Sequence, residues 1–208
     1  MRTDARRVHV VLLIVSLVLF GSAPLAAEDL PPEELVRQTT DRMLALLNKN
    51  RSAIETDRST LYGFVDEVVL PHFDFNRMAQ WVLGKYWRTA SPEQRQSFVE
   101  QFRNLLVRTY GTLLLDYSGQ TIDYLPARAA GDGDTVNIRT LINDKSGTKV
   151  QVDYALYRRD AGWKVYDVRV NGISLVSNYR NTFGSKVRQD GIDSLIDDLA
   201  QRNKQART

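Results

Sequence analysis

The chain has 208 residues, with 28 Lys and Arg against 25 Asp and Glu, a formal net charge of +3 and no cysteine. The missing cysteines exclude disulfides, a thiolate nucleophile and a lipid-modified N-terminal cysteine, so the fold must rest on a hydrophobic core alone. The charges form no basic stripe, which argues against a nucleic-acid partner.

Arg2, Arg6 and Arg7 precede an apolar run from Val8 to Phe20, followed by the small-residue segment Gly21-Ser22-Ala23-Pro24-Leu25-Ala26-Ala27. Residues 1–27 read as a secretory signal peptide, because the run is shorter than the roughly 20 residues a membrane span requires. Leu25 makes the cleavage site imperfect, so the boundary is fixed only to within a residue or two. Removing this segment takes away three arginines and one aspartate and leaves 25 basic against 24 acidic residues. Residues 28–208 contain no repeat or long linker and are expected to form one domain, soluble and monomeric.

Helices are expected first. Pro31-Pro32 opens a segment with Leu35, Val36, Met43, Leu46 and Leu47 on one face, and a second segment carries Leu61, Phe64, Val65, Val68 and Val69 before Pro71 ends it. Asp74 is placed to cap a short helix with Met78, Trp81 and Val82, stopped near Gly84. Ser91-Pro92-Glu93-Gln94 combines an N-cap serine, a first-turn proline and a capping-box glutamine. The helix it starts should run through Phe98, Phe102, Leu106, Tyr110 and Leu114 to Ser118-Gly119, about 26 residues or roughly 39 Å.

From Gln120 the periodicity shifts toward two. Residues 121–126, 135–143, 149–159 and 163–170 read as strands, joined by turns at Gly131-Asp132-Gly133-Asp134, Asp144-Lys145-Ser146-Gly147 and Asp160-Ala161-Gly162. Asn171-Gly172 breaks the last strand, and Ser174 is an N-cap for a helix carrying Val176, Tyr179, Arg180 and Phe183. Helices followed by an antiparallel meander imply an α+β domain with helices over one face of the sheet.

Little in the chain points to catalysis. His72 is the sole histidine after the leader, and it stands between Pro71 and Phe73 as a turn residue would. Asp132 and Asp134 lack the further ligands of a calcium loop, and no GxGxxG, GxxxxGK[ST] or GxSxG motif occurs. No metal site or cofactor is expected. Asp167, near Tyr166 and the neighbouring Tyr154 and Tyr157, has the makings of a general base. The favoured reading is an ion pair with Arg169, Arg139 or Arg180.

The run Trp163-Lys164-Val165-Tyr166-Asp167-Val168 through Gly172-Ile173-Ser174-Leu175-Val176-Ser177-Asn178-Tyr179-Arg180-Asn181-Thr182-Phe183, with Gly191-Ile192-Asp193-Ser194-Leu195-Ile196 after it, resembles the signature of the Mla-type periplasmic phospholipid carriers, also called toluene-tolerance proteins. The resemblance extends over most of the chain after about residue 30. It implies an NTF2-like sheet of about four strands, curved around helices with a lipid cavity between, in a non-enzymatic carrier. It also implies a place between an outer-membrane lipoprotein-porin complex and an inner-membrane ABC transporter complex, in maintaining outer-membrane lipid asymmetry. The runner-up is an NTF2-like periplasmic enzyme using Asp167 as general base. Candidate acyl-chain walls are Trp81, Val82, Phe98, Phe102, Leu106 and Tyr110 from the helices, and Val136, Ile138, Val152, Tyr154, Val165 and Val168 from the strands, with the inward set of alternate strand positions left open. Tyr179, Arg180 and Phe183 are expected to fix the last helix over the sheet, Arg180 through an ion pair.

Overall fold

The computed structural model describes residues 30–129, 133–144, 146–159 and 162–205. The expected leader at 1–27 and the turn residues 131, 132, 145, 160 and 161 lie outside the described residues.

The first helix, α1 (Pro32–Lys49), starts on a proline at its first position with Glu33 and Glu34 in its first turn, both favourable at a helix N-terminus. It buries Val36, Met43 and Leu47, which recur at helical spacing. Two short helices follow, α2 (Arg51–Thr56) and α3 (Ser59–Phe64). The second amphipathic segment does not stay α-helical as far as Pro71: Val65–Val69 is a π-turn and Leu70–His72 a 3-10 turn. Pro71 has no N–H to continue the ladder, and the backbone changes its winding ahead of it.

Asp74 caps α4 (Phe75–Leu83) by accepting a 2.9 Å bond from the Arg77 N–H, and Gly84, at φ 56°, ends it. The chain turns at once into α5 (Lys85–Thr89). In α6 (Pro92–Gly111) the expected capping box is formed: Ser91 Oγ accepts from Gln94 N, and Gln94 Oε1 accepts from Ser91 N. This helix is shorter than its apolar pattern suggested. It closes at Gly111, and Thr112–Asp116 tightens into a 3-10 turn. Gly and Thr are weak helix formers, and 3-10 winding is a common way to close the last turn.

The sheet is an antiparallel meander in the order β1-β2-β3-β4-β5, made of β1 (Thr121–Ala129), β2 (Thr135–Asn143), β3 (Lys149–Arg159), β4 (Gly162–Val170) and β5 (Ile173–Ser174). The fifth strand was not foreseen. It exists because Asn171 (φ 49°) and Gly172 (φ 83°) form a two-residue hairpin turn, which needs positive φ at both positions. Ser174 then caps α7 (Leu175–Gln205), accepting from Ser177 N at 3.0 Å. α7 bends at Gly191, whose φ of 85° is not helical, and Lys186 bridges the bend by pairing with Asp190 and Asp198.

β4 carries a bulge. Ala155 faces Asp167 while Leu156 faces Val165, so Tyr166 has no partner across the pair. The extra residue puts Val165 and Val168, three positions apart, on the same face of the sheet.

Three apolar clusters hold the fold. One joins α4, α6 and α7 around Met78, Val82, Phe98, Phe102, Phe183 and Leu199. A second joins α1, α2 and α3 around Met43, Ile54 and Leu61. A third packs Val36 of α1 on Val136, Ile138, Leu156 and Val165 of the sheet. Phe98 and Phe102 stack at 5.7 Å, and Phe183 meets both rings edge-on.

The helices are tied to the sheet at Phe73-Asp74. Phe73 bridges to Val165, and Asp74 N donates to the Val165 carbonyl at 2.9 Å. The Asp74 carboxylate also accepts from the Tyr157 hydroxyl and from Arg159. Burial raises the Asp74 pKa, but the bonds from Tyr157, Arg77 N and Arg159 outweigh it and leave the group below its ordinary value.

Two stability outcomes follow from these contacts. Phe102→Ala is expected to cost about 3–5 kcal/mol in urea titrations, as an aromatic side chain removed from a closed core. Asp74→Asn is expected to cost about 1 kcal/mol at pH 7 by leaving the part-buried Tyr157 donor and the exposed Arg159 donor poorly matched. Because the folded pKa is depressed, the carboxylate's contribution is present above its unfolded pKa of about 3.9 and is lost as pH falls through the folded value. The difference between the two proteins should therefore shrink in acid.

Candidate functional site

The three clusters do not merge into one solid core. Where they meet, a cavity of about 430 Å³ remains between the helices and one face of the sheet. That volume lies within the range of small-ligand sites, roughly 300–1,000 Å³. α1 contributes Leu35, Val36, Thr39 and Met43; the turns before α4 contribute Val65, Val69, Leu70 and Phe73; the end of α6 contributes Leu106, Val107 and Tyr110. The sheet contributes Ile122, Ile142, Val152, Tyr154, Val165, Val168 and Val170.

Strand register explains the sheet wall. Val152 and Tyr154 alternate on β3 and stand opposite Val170 and Val168. The β4 bulge then brings Val165 onto the same face, where it lines the deep end beside Phe73. Of the wall candidates drawn from the sequence, Leu106, Tyr110, Val152, Tyr154, Val165 and Val168 are brought together at the cavity.

The other six stand elsewhere. Val82, Phe98 and Phe102 are closed into the cluster between α4, α6 and α7. Val136 and Ile138 pack beneath Val36 in the sheet cluster and do not line the cavity. Trp81 is 43% exposed and packs edge-on against Tyr166 at 5.0 Å, away from the cavity-lining positions of β4, with the Arg77 guanidinium over its ring. The α1 and 65–73 walls were missed as site residues. Leu35, Val36 and Met43 had shown as an apolar helix face, a signal that does not separate a face turned to a cavity from one turned to a core.

Among the described residues, no lysine or arginine lines this space, and its titratable side chains besides tyrosines are His72 and Asp116. Burial, with Lys164 and Arg42 nearby, holds His72 below its ordinary pKa, so it is a neutral imidazole at pH 7. Tyr154 is deep in the protein yet keeps some accessible surface, which is the part facing the cavity. Burial, and secondarily Tyr124, pushes its phenol up to about 12. Tyr179 of α7 is also shifted up, by burial and its contact with Tyr110, and it packs edge-on against Phe102 at 5.4 Å. Of the family-like residues, Tyr179 and Phe183 hold α7 to α6, whereas the Arg180 guanidinium lies over Gly84 at the end of α4.

Asp167 does not line the cavity. It is 5% exposed, accepts from Val176 N at 3.2 Å and pairs with Arg169 at 3.8 Å, so the expected ion pair is the one formed with Arg169. Its carboxylate joins the β4 bulge to the start of α7.

The open end of the cavity is marked by exposure. Leu113 and Asp116 are exposed lining residues, followed by Tyr117 and Gln120. The sheet residues nearest Gln120 in the register, Ile122 and Ile142, place the mouth at the Thr121–Asn143 end of the sheet. Arg51 holds this rim by donating to the Tyr117 carbonyl at 2.8 Å. Among the described residues no helix is long and apolar enough to cross a membrane.

A helical shell and an antiparallel sheet enclosing an apolar cavity define an α+β protein with an interior space suited to a hydrophobic molecule. The chain belongs to the MlaC protein family, whose model matches residues 37–201. It is 31% identical to the toluene tolerance protein ttg2D of Pseudomonas putida over 90% of this chain and 87% of that one. It is 29% identical to the intermembrane phospholipid transport system binding protein MlaC of Haemophilus influenzae, over 86% of each chain. Among solved structures it is similar to the phospholipid-binding protein of Ralstonia solanacearum in complex with a phospholipid. The TM-score is 0.77 at 32% identity, covering 85% of this chain and 98% of that one.

The buried phenol has a measurable consequence. A folded pKa near 12 against about 10 in the unfolded chain means that Tyr154 lowers stability progressively as pH rises above about 10. Tyr154→Phe is expected to make stability fall less steeply with pH over that alkaline range, as followed by urea titrations at successive pH values.

Proposed function

We propose that this protein is a non-enzymatic phospholipid carrier of the periplasm: one domain, 28–208, released from a signal peptide at 1–27 and acting as a monomer. It holds acyl chains in the cavity with the head group at the mouth. It takes lipid between an outer-membrane lipoprotein-porin complex and an inner-membrane ABC transporter complex, and so maintains outer-membrane lipid asymmetry. The observation that carries this reading is the apolar cavity, which no Lys or Arg lines among the described residues. The phospholipid bound to the Ralstonia solanacearum protein and the transport named for the Haemophilus influenzae protein support it.

The energetics set what the cavity must do. A two-chain phospholipid carries about 30 methylenes, and transfer of about 0.8 kcal/mol each into water costs on the order of 24 kcal/mol. Apolar walls must offset most of that. We assign the chain-contacting role to Leu106, Tyr110, Val152, Tyr154, Val165 and Val168, with Leu35, Met43 and Phe73 opposite. The phosphate stays at the water-exposed mouth, where it avoids desolvation and needs no fixed cation. Head-group selectivity is accordingly weak. No nucleotide-binding motif occurs in the sequence, so this chain equilibrates lipid down its chemical potential and a partner supplies direction. An enzymatic role for Asp167 gains no support, since its carboxylate is engaged by Val176 and Arg169 and lies off the cavity.

Native mass spectrometry of the mature protein, purified from the periplasm without detergent, should show an increment equal to a diacyl phospholipid. Val168→Asp should remove that increment while leaving a folded protein by circular dichroism. A parent protein that stays ligand-free after incubation with phospholipid vesicles would sink the carrier reading. Tight loading of one head-group class with exclusion of the rest would sink the exposed-head-group arrangement.

A further inference from the structure

Four large hydrophobic side chains are exposed among the described residues, and two of them, Leu113 at 60% and Ile173 at 64%, belong to the mouth. Leu113 lies on the 3-10 turn after α6 and is itself a lining residue. Ile173 is not, but its position follows from register. It stands directly opposite Val170 across the hairpin turn, and directly opposed residues on antiparallel strands project from the same face. Val170 lines the cavity. Ile173 therefore extends the sheet wall one strand beyond the cavity's edge, into water, while Leu113 does the same from the helical side.

Both positions are held by ordered backbone. Asn171 fixes the hairpin to β3, donating from its N–H to the Gln151 carbonyl at 2.8 Å and accepting from Gln151 N at 3.0 Å. On the other side Arg51 holds the Tyr117 carbonyl. Two exposed apolar residues on firm supports, at the same end of one cavity, call for a reason beyond packing, since neither is part of an apolar cluster.

Resting on the carrier reading above, we infer that Leu113 and Ile173 form the threshold over which acyl chains pass and that they set the rate of lipid exchange with a bilayer. A chain leaving the cavity exposes its methylenes in succession, each at about 0.8 kcal/mol. Apolar steps on both sides of the opening shelter methylenes during passage. Ile173, off the lining, touches the chain only when it is part-way out, so it lowers the barrier and leaves the loaded state almost unchanged, while Leu113 at the rim touches it in both states. Ile173 is thus a positioning residue for transfer outside the walls that give affinity, with Leu113 at their rim.

The test is stopped-flow uptake of a fluorescent phospholipid from phosphatidylcholine vesicles by delipidated mature protein, with equilibrium load measured in parallel. The double variant Leu113→Ser/Ile173→Ser should take up lipid about tenfold more slowly, a barrier change of about 1.4 kcal/mol. Ile173→Ser alone, outside the cavity lining, should slow uptake in the same direction while its final load and urea midpoint match the parent, and Leu113→Met with Ile173→Val should restore the rate. An unchanged uptake rate in the double variant would overturn the inference while leaving the carrier reading intact. So would a load of Ile173→Ser that falls in step with its rate, because Ile173 would then be an ordinary wall. A parent protein that takes up no phospholipid would defeat the carrier reading, and the threshold with it.

Discussion

The cavity depends on how the helices are joined to the edge of the sheet at Phe73-Asp74. Protein interiors normally close to near-crystalline density, so an unfilled space needs rigid walls that cannot approach one another. Here the backbone of Asp74 is paired to Val165, and its carboxylate is shared among the start of α4, Tyr157 and Arg159. The residues on either side of this clasp, Phe73 and Phe75, both face the cavity. A carboxylate that orders three partners outside the space thus sets the spacing of the apolar walls within it.

Closed core and cavity wall are consequently drawn largely from different residues. The largest closed side chains, including Phe98, Phe102, Leu61 and Met78, lie mainly in the helical clusters beside the cavity. Of these, Met78 also touches the cavity. The cavity walls are mostly aliphatic residues of moderate size from helices, strands and turns, and some, such as Val36, Met43, Leu106 and Val165, belong to the clusters as well. This separation lets the wall remain incompletely packed in a chain that has no disulfide to assist it.

Much of the fold was legible because its signals are local. Ser91 with Gln94, Asp74 before α4, Gly84 after it and Ser174 before α7 all act as their chemistry predicts, and four strands fall where the periodicity of two sets in. The site was half legible for a physical reason. Hydrophobic periodicity reports that a face is buried, not what it is buried against, so Phe98 and Leu106 look alike though one is in closed core and the other at the cavity. The pairing of Val165 with Val168 as neighbours on one wall breaks the strand period of two, and only the bulge at Tyr166 accounts for it. The premature end of α6 likewise depends on Gly111 and the tightening after it, which an unbroken apolar pattern through Leu114 conceals.

The meander also bears on how the chain reaches its native state. Each strand pairs with the one that precedes or follows it in sequence, so the sheet can zip up from successive hairpins with short loops to close. Other contacts join distant parts of the chain: α4 and α6 against α7, Val36 against the β2–β4 surface, and Phe73-Asp74 against Val165. The last two closures span about 90 residues or more of sequence, and they help to enclose the cavity. The ordering this implies is a sheet assembled early and rapidly, with the interior space created last, when α1 and the Asp74 clasp dock onto a surface already in register.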